Sequence, residues 1–143
     1  MEPKIFDHVG VMIHLVDLEI TNVLKNWLVP LQLAPEQFLV IALLLKKEGI
    51  SQNDIANALN KDKSSITRML ASLEQKGFIK RTGSASDRRS VDVTLTDEGR
   101  ALSDDVDRIS IRTKELLNSG FTDEELTELK RLLMKVSGNV NPL

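Results

Sequence analysis

The sequence predicts a mainly α-helical protein with one small β-hairpin. Apolar residues recur at helical spacing over most of the chain, whereas only two short stretches, FIKRTGS and SVDVTL, alternate as strands do. The 143 residues are 41% hydrophobic and 28% charged, which is typical of one globular domain with a core. The expected order is four helices, a hairpin and two closing helices, within a single domain covering residues 1–143.

The first 28 residues form the first predicted helix, which Pro30 brings to an end. One of its sides carries apolar residues at helical spacing: Val9, Met12, Val16, Ile20, Val23, Leu24 and Trp27. Apolar residues also occur on the opposite side, so the helix is apolar nearly all round. Such a helix is expected to be buried, in its own chain or against a second one.

The next two helices are marked by their first and last residues. Pro35 stands at a first helical position, and the apolar segment PEQFLVIALLLKK follows and stops at Gly49. Ile50 is expected to be a short extended link. The segment SQND, which begins at Ser51, has the form of a capping box and predicts a helix to about Leu59.

The fourth helix is expected over residues 62–76, with Asp62 as its N-cap and Gly77 just beyond its end. Its core-facing side has the i, i+3, i+4, i+7 spacing of Ile66, Met69, Leu70 and Leu73. The opposite side is small and polar with one long cation, and consists of Ser64, Arg68, Ala71, Ser72 and Gln75. A helix needs such a surface to lie in the DNA major groove, although an ordinary solvated face explains this helix alone equally well.

The short third helix favours the DNA interpretation. Ala56 is small enough to let two helices cross closely, and a capped helix, a four-residue turn and a second helix form a helix-turn-helix. Gln52 and Asn53 would then lie near phosphates at the N-terminus of the first helix.

The loop GSASDRRS, residues 83–90, joins the two predicted strands. Arg88 and Arg89 at the end of a projecting loop could enter a minor groove, whose negative potential attracts arginine. Asp87 would hold one guanidinium in place. Taken alone, the triplet is better explained by a surface ion pair worth about 0–1 kcal/mol. Directly after a helix-turn-helix, it favours a DNA-binding wing.

Two helices close the chain. One is expected over residues 96–118, and the other begins with a capping box that starts at Thr122. The charge distribution supports the DNA interpretation, since residues 61–89 hold eight bases and three acids, a net charge of +5, while the rest of the chain carries −7.

The segment DKSSITRMLASLEQKGFIKRTGSASDRRSVDVTLTDEGRAL resembles the bacterial MarR-type winged-helix regulators. The matching positions are the Thr67-Arg68 pair, Leu73 with Gly77, the triplet Asp87-Arg88-Arg89, and Leu95-Thr96 followed by Gly99. The preceding LAPEQFLVIALL is similar to the second helix of that family, so the resemblance covers nearly the whole chain.

The resemblance implies a winged helix-turn-helix with N- and C-terminal dimerisation helices. Residues 1–32 and 97–143 would form the dimer, and residues 33–96 would be the DNA-binding region. It also implies a homodimer on a palindromic operator, usually a repressor, which a small-molecule effector releases in many members. The apolar first helix and the helix over residues 96–118 support the dimer independently, because a small core cannot hide so much apolar surface.

These inferences give two sets of candidate residues. The candidate DNA-binding residues are Gln52, Asn53, Lys61, Lys63, Ser64, Ser65, Thr67, Arg68, Ser72, Arg81, Asp87, Arg88 and Arg89. The candidate effector-binding residues, each of which a place in the core also explains, are His8, Met12, Trp27 and Phe38.

Other functions find little support in the sequence. There is no cysteine, and His8 and His14 lie on different faces of one helix, so neither a cofactor nor a metal site is expected. No catalytic motif occurs, which argues against an enzyme. The absence of a signal peptide or membrane span predicts a cytoplasmic protein. The alternative that remains is a winged helix that contacts proteins and not DNA.

Overall fold

The computed structural model describes residues 4–83 and 89–141 and contains seven α-helices and three strands in those ranges. The helices and strands in chain order are α1 Val9–Leu28, α2 Pro35–Lys46, β1 Ile50–Ser51, α3 Gln52–Ala58, α4 Lys63–Gln75, β2 Ile79–Gly83, β3 Val91–Leu95, α5 Asp97–Arg100, α6 Ser103–Asn118 and α7 Asp123–Val140. The mainly α-helical fold with a β-hairpin is confirmed.

The chain divides into two compact units, one ending at Arg108 and the other beginning at Ile109. The first contains the helix-turn-helix and the sheet; the second contains the later part of α6 and α7. The assignment of residues 1–32 and 97–143 to dimerisation stays a prediction. No single described helix is both long and apolar enough to cross a bilayer; Val9–Leu31 and Pro35–Lys46 reach that length and composition only jointly, across a bend of 68°.

The predicted helix starts are confirmed by side-chain caps. The Ser51 hydroxyl accepts from the backbone N–H three residues later at 3.0 Å, and the Asp62 carboxylate does the same at 2.7 Å. Thr122 forms a complete capping box, in which its hydroxyl accepts from the Glu125 N–H and the Glu125 carboxylate accepts from the Thr122 N–H. Each cap satisfies backbone donors that a helix start otherwise leaves unpaired.

The link at Ile50 is a strand, which the sequence prediction missed. Strands β1 and β2 both pair antiparallel with β3, so the sheet has the order β1-β3-β2. Ile50 lies opposite Val93, and Ile79 lies opposite Leu95. Two residues are too few to show the alternation of apolar and polar side chains by which a strand is predicted. The segment is a strand only because it pairs with β3.

The single helix predicted over residues 96–118 is wrong, because the chain forms α5 and then α6 with a break at Ala101 and Leu102. At the break the Leu102 N–H donates to the Gly99 carbonyl three residues back, a tighter turn than an α-helix makes. The carbonyl of Leu102 then accepts from the Val106 N–H and begins α6.

Helix α1 is not buried by its own chain, which leaves burial against a second chain as the remaining form of that expectation. It begins at Val9 with His8 as N-cap, and Leu28 is its only fully buried residue. Its large apolar side chains that remain exposed are Val9, Met12, Ile13, Leu15, Val16 and Leu18. The core of the first unit comes mainly from the elements after α1, through Val40, Ile41, Leu44, Ile55, Ile66, Leu70, Leu73, Ile79 and Val93. Of the four residues predicted to face the core from α4, three are buried and Met69 is half-buried.

The end of α4, the start of β2 and the start of α5 meet at one point. The Thr96 hydroxyl donates to the Gly77 carbonyl at 2.5 Å, and the Thr96 N–H donates to the Phe78 carbonyl at 3.0 Å. Gly99 packs directly against Phe78, so closely that a Cβ at Gly99 would overlap the Phe78 carbonyl oxygen. The glycine is therefore required by the close approach of two backbones.

A second contact fixes the root of the hairpin to α4. The Glu74 carboxylate accepts from the Arg81 backbone N–H at 2.9 Å and from its guanidinium at 3.1 Å. These hydrogen bonds, the backbone one first, lower the pKa of Glu74 below its ordinary value. Lys80 is exposed whereas Arg81 is half-buried, because neighbouring residues of a strand point to opposite faces.

We expect Gly99→Ala to destabilise the protein by roughly 1–3 kcal/mol, because the added methyl group forces the two backbones apart. Gly138→Ala in α7 is the matched control, since a Cβ there meets nothing within 4 Å. It should stabilise the helix by up to about 1 kcal/mol. Urea unfolding of the two variants beside the wild type measures both effects. Equal stability of Gly99→Ala and wild type would contradict the packing described.

We expect the stabilisation that Glu74 provides to be lost in acid. Because its folded pKa is lowered, the stabilisation is complete above the unfolded value near 4.5 and disappears as the pH falls through the folded pKa. The difference in free energy of unfolding between wild type and Glu74→Gln should thus be larger at pH 7 than at pH 3. Glu98→Gln, the same change at an exposed position of α5, is the control. A Glu74→Gln difference that is constant with pH would contradict the ion pair.

Candidate nucleic-acid interface

Helices α3 and α4 form the predicted helix-turn-helix. Ile55 and Ala56 of α3 are buried, as is Ile66 in the first turn and a half of α4. In the connecting turn Asn60 has a φ of +54°, a left-handed conformation that asparagine adopts more readily than most residues. The Lys61 N–H donates to the Ala56 carbonyl and closes the turn at 3.0 Å.

The outer face of α4 is small, polar and exposed, as predicted. Ser64, Thr67 and Arg68 are exposed, and Ser65 is half-buried. The Arg68 guanidinium lies 3.5 Å from the Ser65 hydroxyl, at the limit of a hydrogen bond. Apart from Lys63 and Arg68, the exposed side chains of its first two turns are small and polar, which suits close approach to a base edge.

A hydrogen-bonded pair ties α3 to this face. The Gln52 side-chain amide donates to the Thr67 hydroxyl at 2.7 Å, and that hydroxyl donates to the Lys63 carbonyl at 2.8 Å. Asn53 stays exposed beside Gln52. The two candidate phosphate-binding residues thus lie at the N-terminus of α3, and one of them is held by α4.

Ser72 does not belong to the outer face, which corrects the sequence prediction. It is half-buried and its hydroxyl accepts a hydrogen bond from the Gln37 side chain of α2 at 3.1 Å. Ser72 lies one turn beyond Arg68, where the helix surface curves from the solvent side to the side facing α2.

Three cations of the basic segment form hydrogen bonds or ion pairs within their own chain, so they are less available to a ligand than a count along the sequence suggests. The Lys61 ammonium lies 2.6 Å from the Glu36 carboxylate, and this contact raises the pKa of Lys61. Arg81 bonds to Glu74 at the root of the hairpin. Lys76 is held by hydrogen bonds to α2 and the segment before it. The sequence could not reveal these pairs, because their partners lie far away along the chain or on another element.

The wing can be described only in part. Strands β2 and β3 pair as far as Gly83 with Val91, and Arg89 is exposed just before β3. Asp87 and Arg88 lie outside the described residues. Their proposed arrangement stays a prediction.

The four candidate effector-binding residues do not come together in one chain. His8 and Trp27 stand at opposite ends of α1, about 28 Å apart at 1.5 Å per residue. His8 acts as N-cap, since its Nδ1 accepts from the Gly10 N–H at 3.1 Å. Met12 is exposed, whereas Phe38 is buried in the core. Over residues 4–83 and 89–141 no three His, Asp or Glu side chains form a group that could hold a metal ion.

Comparison with known proteins identifies relatives over most of the chain. The sequence profile of the MarR family matches residues 33–91. The chain is 36% identical over 125 residues to the HTH-type transcriptional regulator PecS of Dickeya dadantii, covering 85% of this chain and 73% of that protein. It is 30% identical to the multiple antibiotic resistance protein MarR of Salmonella typhimurium, with 89% of each chain covered.

Solved structures share the fold. A mutant MarR from E. coli in complex with operator DNA matches with a TM-score of 0.85 and 28% identity, over 94% of this chain and 99% of that one. The S. aureus MepR–DNA complex matches with a TM-score of 0.86 and 26% identity, over 92% and 97%. The transcriptional repressor CouR bound to a 23-mer duplex gives 0.82 and 29%, over 94% and 95%. The chain therefore belongs to the MarR family of transcriptional regulators.

Proposed function

We propose that this protein is a homodimeric repressor that reads a palindromic operator in double-stranded DNA and is released by a small-molecule effector. The observation that carries the proposal is the exposed, small and polar outer face of α4 with Arg68 at its centre. The MarR, MepR and CouR relatives, whose structures contain DNA, support it. We further infer that the protein acts in the cytoplasm and has no catalytic activity.

In the proposed complex α4 lies in the major groove and Arg68 reads a base edge. The residues proposed to contact DNA from α3 and α4 are Gln52, Asn53, Lys63, Ser64, Ser65, Thr67 and Arg68. Arg88 and Arg89 would reach the minor groove from the wing, with Asp87 orienting them. Lys61 and Arg81 contribute less, because each bonds to a carboxylate of its own chain.

Exposed apolar surface supports the dimer. Six large apolar side chains of α1 face solvent, and α7 exposes Leu129, Leu132, Leu133 and Met134. Exposed large apolar side chains in such number on one helix are typical of an interaction site. A two-fold dimer would place two copies of α4 one DNA turn apart, about 34–36 Å, which matches a palindromic operator.

Binding of an effector stays a prediction, and the structure reduces the set of residues that could share one site within a single chain. A pocket inside one chain cannot be lined by both His8 and Trp27, so a site that uses all four candidates needs a second protomer. Met12, exposed on α1, is the candidate placed best for such a shared site.

Binding to a random duplex pool at two salt concentrations tests the function, with enrichment and sequencing of the bound DNA. We expect an enriched inverted repeat and a log–log salt slope of about −0.9 for each phosphate contact. Binding that appears only after unfolding, ligand removal and refolding would indicate a bound effector. No binding after that treatment would overturn the proposal in favour of a winged helix that contacts proteins.

We expect Arg68→Ala to relax base preference in the enriched repeat and to cost about 1–3 kcal/mol of discrimination at one position. Lys63→Ala is the contrasting variant, since an exposed lysine at the start of α4 meets phosphate. It should weaken binding to all sequences alike and reduce the salt slope by about 0.9. Competition titrations against single-base variants measure both; an unchanged preference in Arg68→Ala would remove Arg68 from base readout.

We expect Val16→Asp to convert the dimer to monomers, because it places a charge in the exposed apolar stripe of α1. Asp17→Ala, at the next position on the helix and about 100° around it, should leave the dimer intact. Light scattering after size exclusion gives the mass of each variant. A dimeric Val16→Asp protein would show that α1 lies outside the interface.

A further inference from the structure

Gln37 of α2 is the only polar or charged residue among the described ones that is buried, with 7% of its surface exposed. Every polar atom of its side chain has a partner. Its Oε1 accepts from the Ala34 N–H at 3.1 Å and from the Lys76 ammonium at 2.8 Å. Its Nε2 donates to the Ser72 hydroxyl at 3.1 Å. A buried amide is costly unless it is satisfied, so these bonds account for its presence in an otherwise apolar core.

Lys76 extends the network to the connection between α1 and α2. Its ammonium also donates to the Gln32 carbonyl at 2.6 Å, and Gln32 has a left-handed φ of +60°. The network therefore joins three parts of the first unit: the connection before α2, the first turn of α2, and the C-terminal end of α4.

Apolar packing selects which face of α4 turns inward, and the hydrogen bonds of Gln37 and Lys76 add a directional constraint on its rotation. The buried stripe Ile66, Leu70 and Leu73 holds α4 on the core, but apolar attraction has no direction. Hydrogen bonds have narrow distance and angle limits. Two of them join Gln37 to the C-terminal end of α4, at Ser72 and Lys76. Ser72 lies four residues after Arg68 on the same helix. A bond that holds Ser72 at one angle about the helix axis therefore also sets the direction in which Arg68 points.

We propose that Gln37 is a positioning residue for DNA reading, which sets the rotation of α4 through Ser72 and Lys76. This inference rests on the proposed DNA-binding function. It assigns the ammonium of Lys76, a residue of the basic segment, to hydrogen bonds within its own chain. A role for Gln37 in capping α2 alone would need only the Ala34 bond, and the bonds to Ser72 and Lys76 would then have no bearing on DNA.

The test compares affinity for the enriched repeat with affinity for a scrambled duplex of equal length. Gln37→Met keeps the size of the side chain and removes all three bonds. It should lower the ratio of specific to scrambled affinity about tenfold, within the range that coupled contacts give, while scrambled binding and the dimer stay unchanged. Gln37→Glu can accept from Ala34, Lys76 and the Ser72 hydroxyl and should retain most of the ratio. Glu98→Met, which introduces methionine at an exposed position of α5, is the control.

Two further variants separate positioning from stability and from charge. Ser72→Ala removes one bond at a half-buried site and should lower the ratio, and adding it to Gln37→Met should lower it no further. Lys76→Met should leave the salt slope as it is in the wild type. Urea unfolding of each variant checks that it is folded to the same extent as the wild type under the binding conditions.

The outcomes distinguish the two proposals. A wild-type protein that enriches no duplex overturns the proposed function and this inference with it. Wild-type binding combined with an unchanged ratio in Gln37→Met and Ser72→Ala overturns the positioning role alone. A salt slope reduced by about 0.9 in Lys76→Met would place Lys76 on a phosphate and would also overturn the assignment.

Discussion

The contact between Thr96 and the chain reversal at Gly77 and Phe78 is the constraint on which the arrangement of α4, the hairpin and α5 depends. At this point α4 ends, β2 begins, and the chain returns from β3 into α5. One threonine serves all three, because its hydroxyl accepts from the Gly99 N–H as a helix cap and donates to the Gly77 carbonyl. Its backbone N–H meanwhile bonds to the Phe78 carbonyl. The angle between α4 and the hairpin is thus constrained at their junction by these bonds and by the contact of the Glu74 carboxylate with Arg81.

Charge in the protein has two separate tasks. Some ionic groups hold the fold: Glu74 joins the hairpin to α4, Glu36 pairs with Lys61 in the helix-turn-helix, and Arg100 pairs with Glu48. Lys63 and Arg68 of α4 are exposed, and among the described residues neither forms such a salt bridge, so both suit a polyanion. A protein with a net charge of −2 can therefore present a locally basic surface.

Much of the fold could be predicted from the sequence because its signals are local. The caps at Ser51, Asp62 and Thr122, the glycine after α4 and the alternation of β3 all report on residues within a few positions. The features that were missed depend on distant partners: strand β1 exists through β3, and the inward turn of Ser72 depends on Gln37, 35 residues earlier. The break between α5 and α6 is at Ala101 and Leu102, and neither is a proline or glycine from which a helix end could be predicted.

In the candidate site too, features that depend on local sequence were predicted and features that depend on distant partners were not. Exposure of Ser64, Thr67 and Arg68 follows from helical period alone, and the structure has them so. The internal pairing of Lys61 and Arg81 could not be derived, since counting charges along a sequence does not show which of them meet. The effector candidates failed to converge for a related reason. They were chosen by element, and two of them lie at opposite ends of one rigid helix.

The sparse burial of α1 has a consequence for the order in which the chain acquires structure. Local unfolding is least costly where few side chains are buried, and α1 has only Leu28 fully inside the core. The core around Ile41, Ile55, Ile66 and Val93 can therefore close without the first five turns of α1. Although α1 leaves the ribosome first, it would be the last helix of its unit to become protected from hydrogen exchange. The half of the molecule that carries the outer face of α4 would complete its folding before the N-terminal helix finds a stable environment.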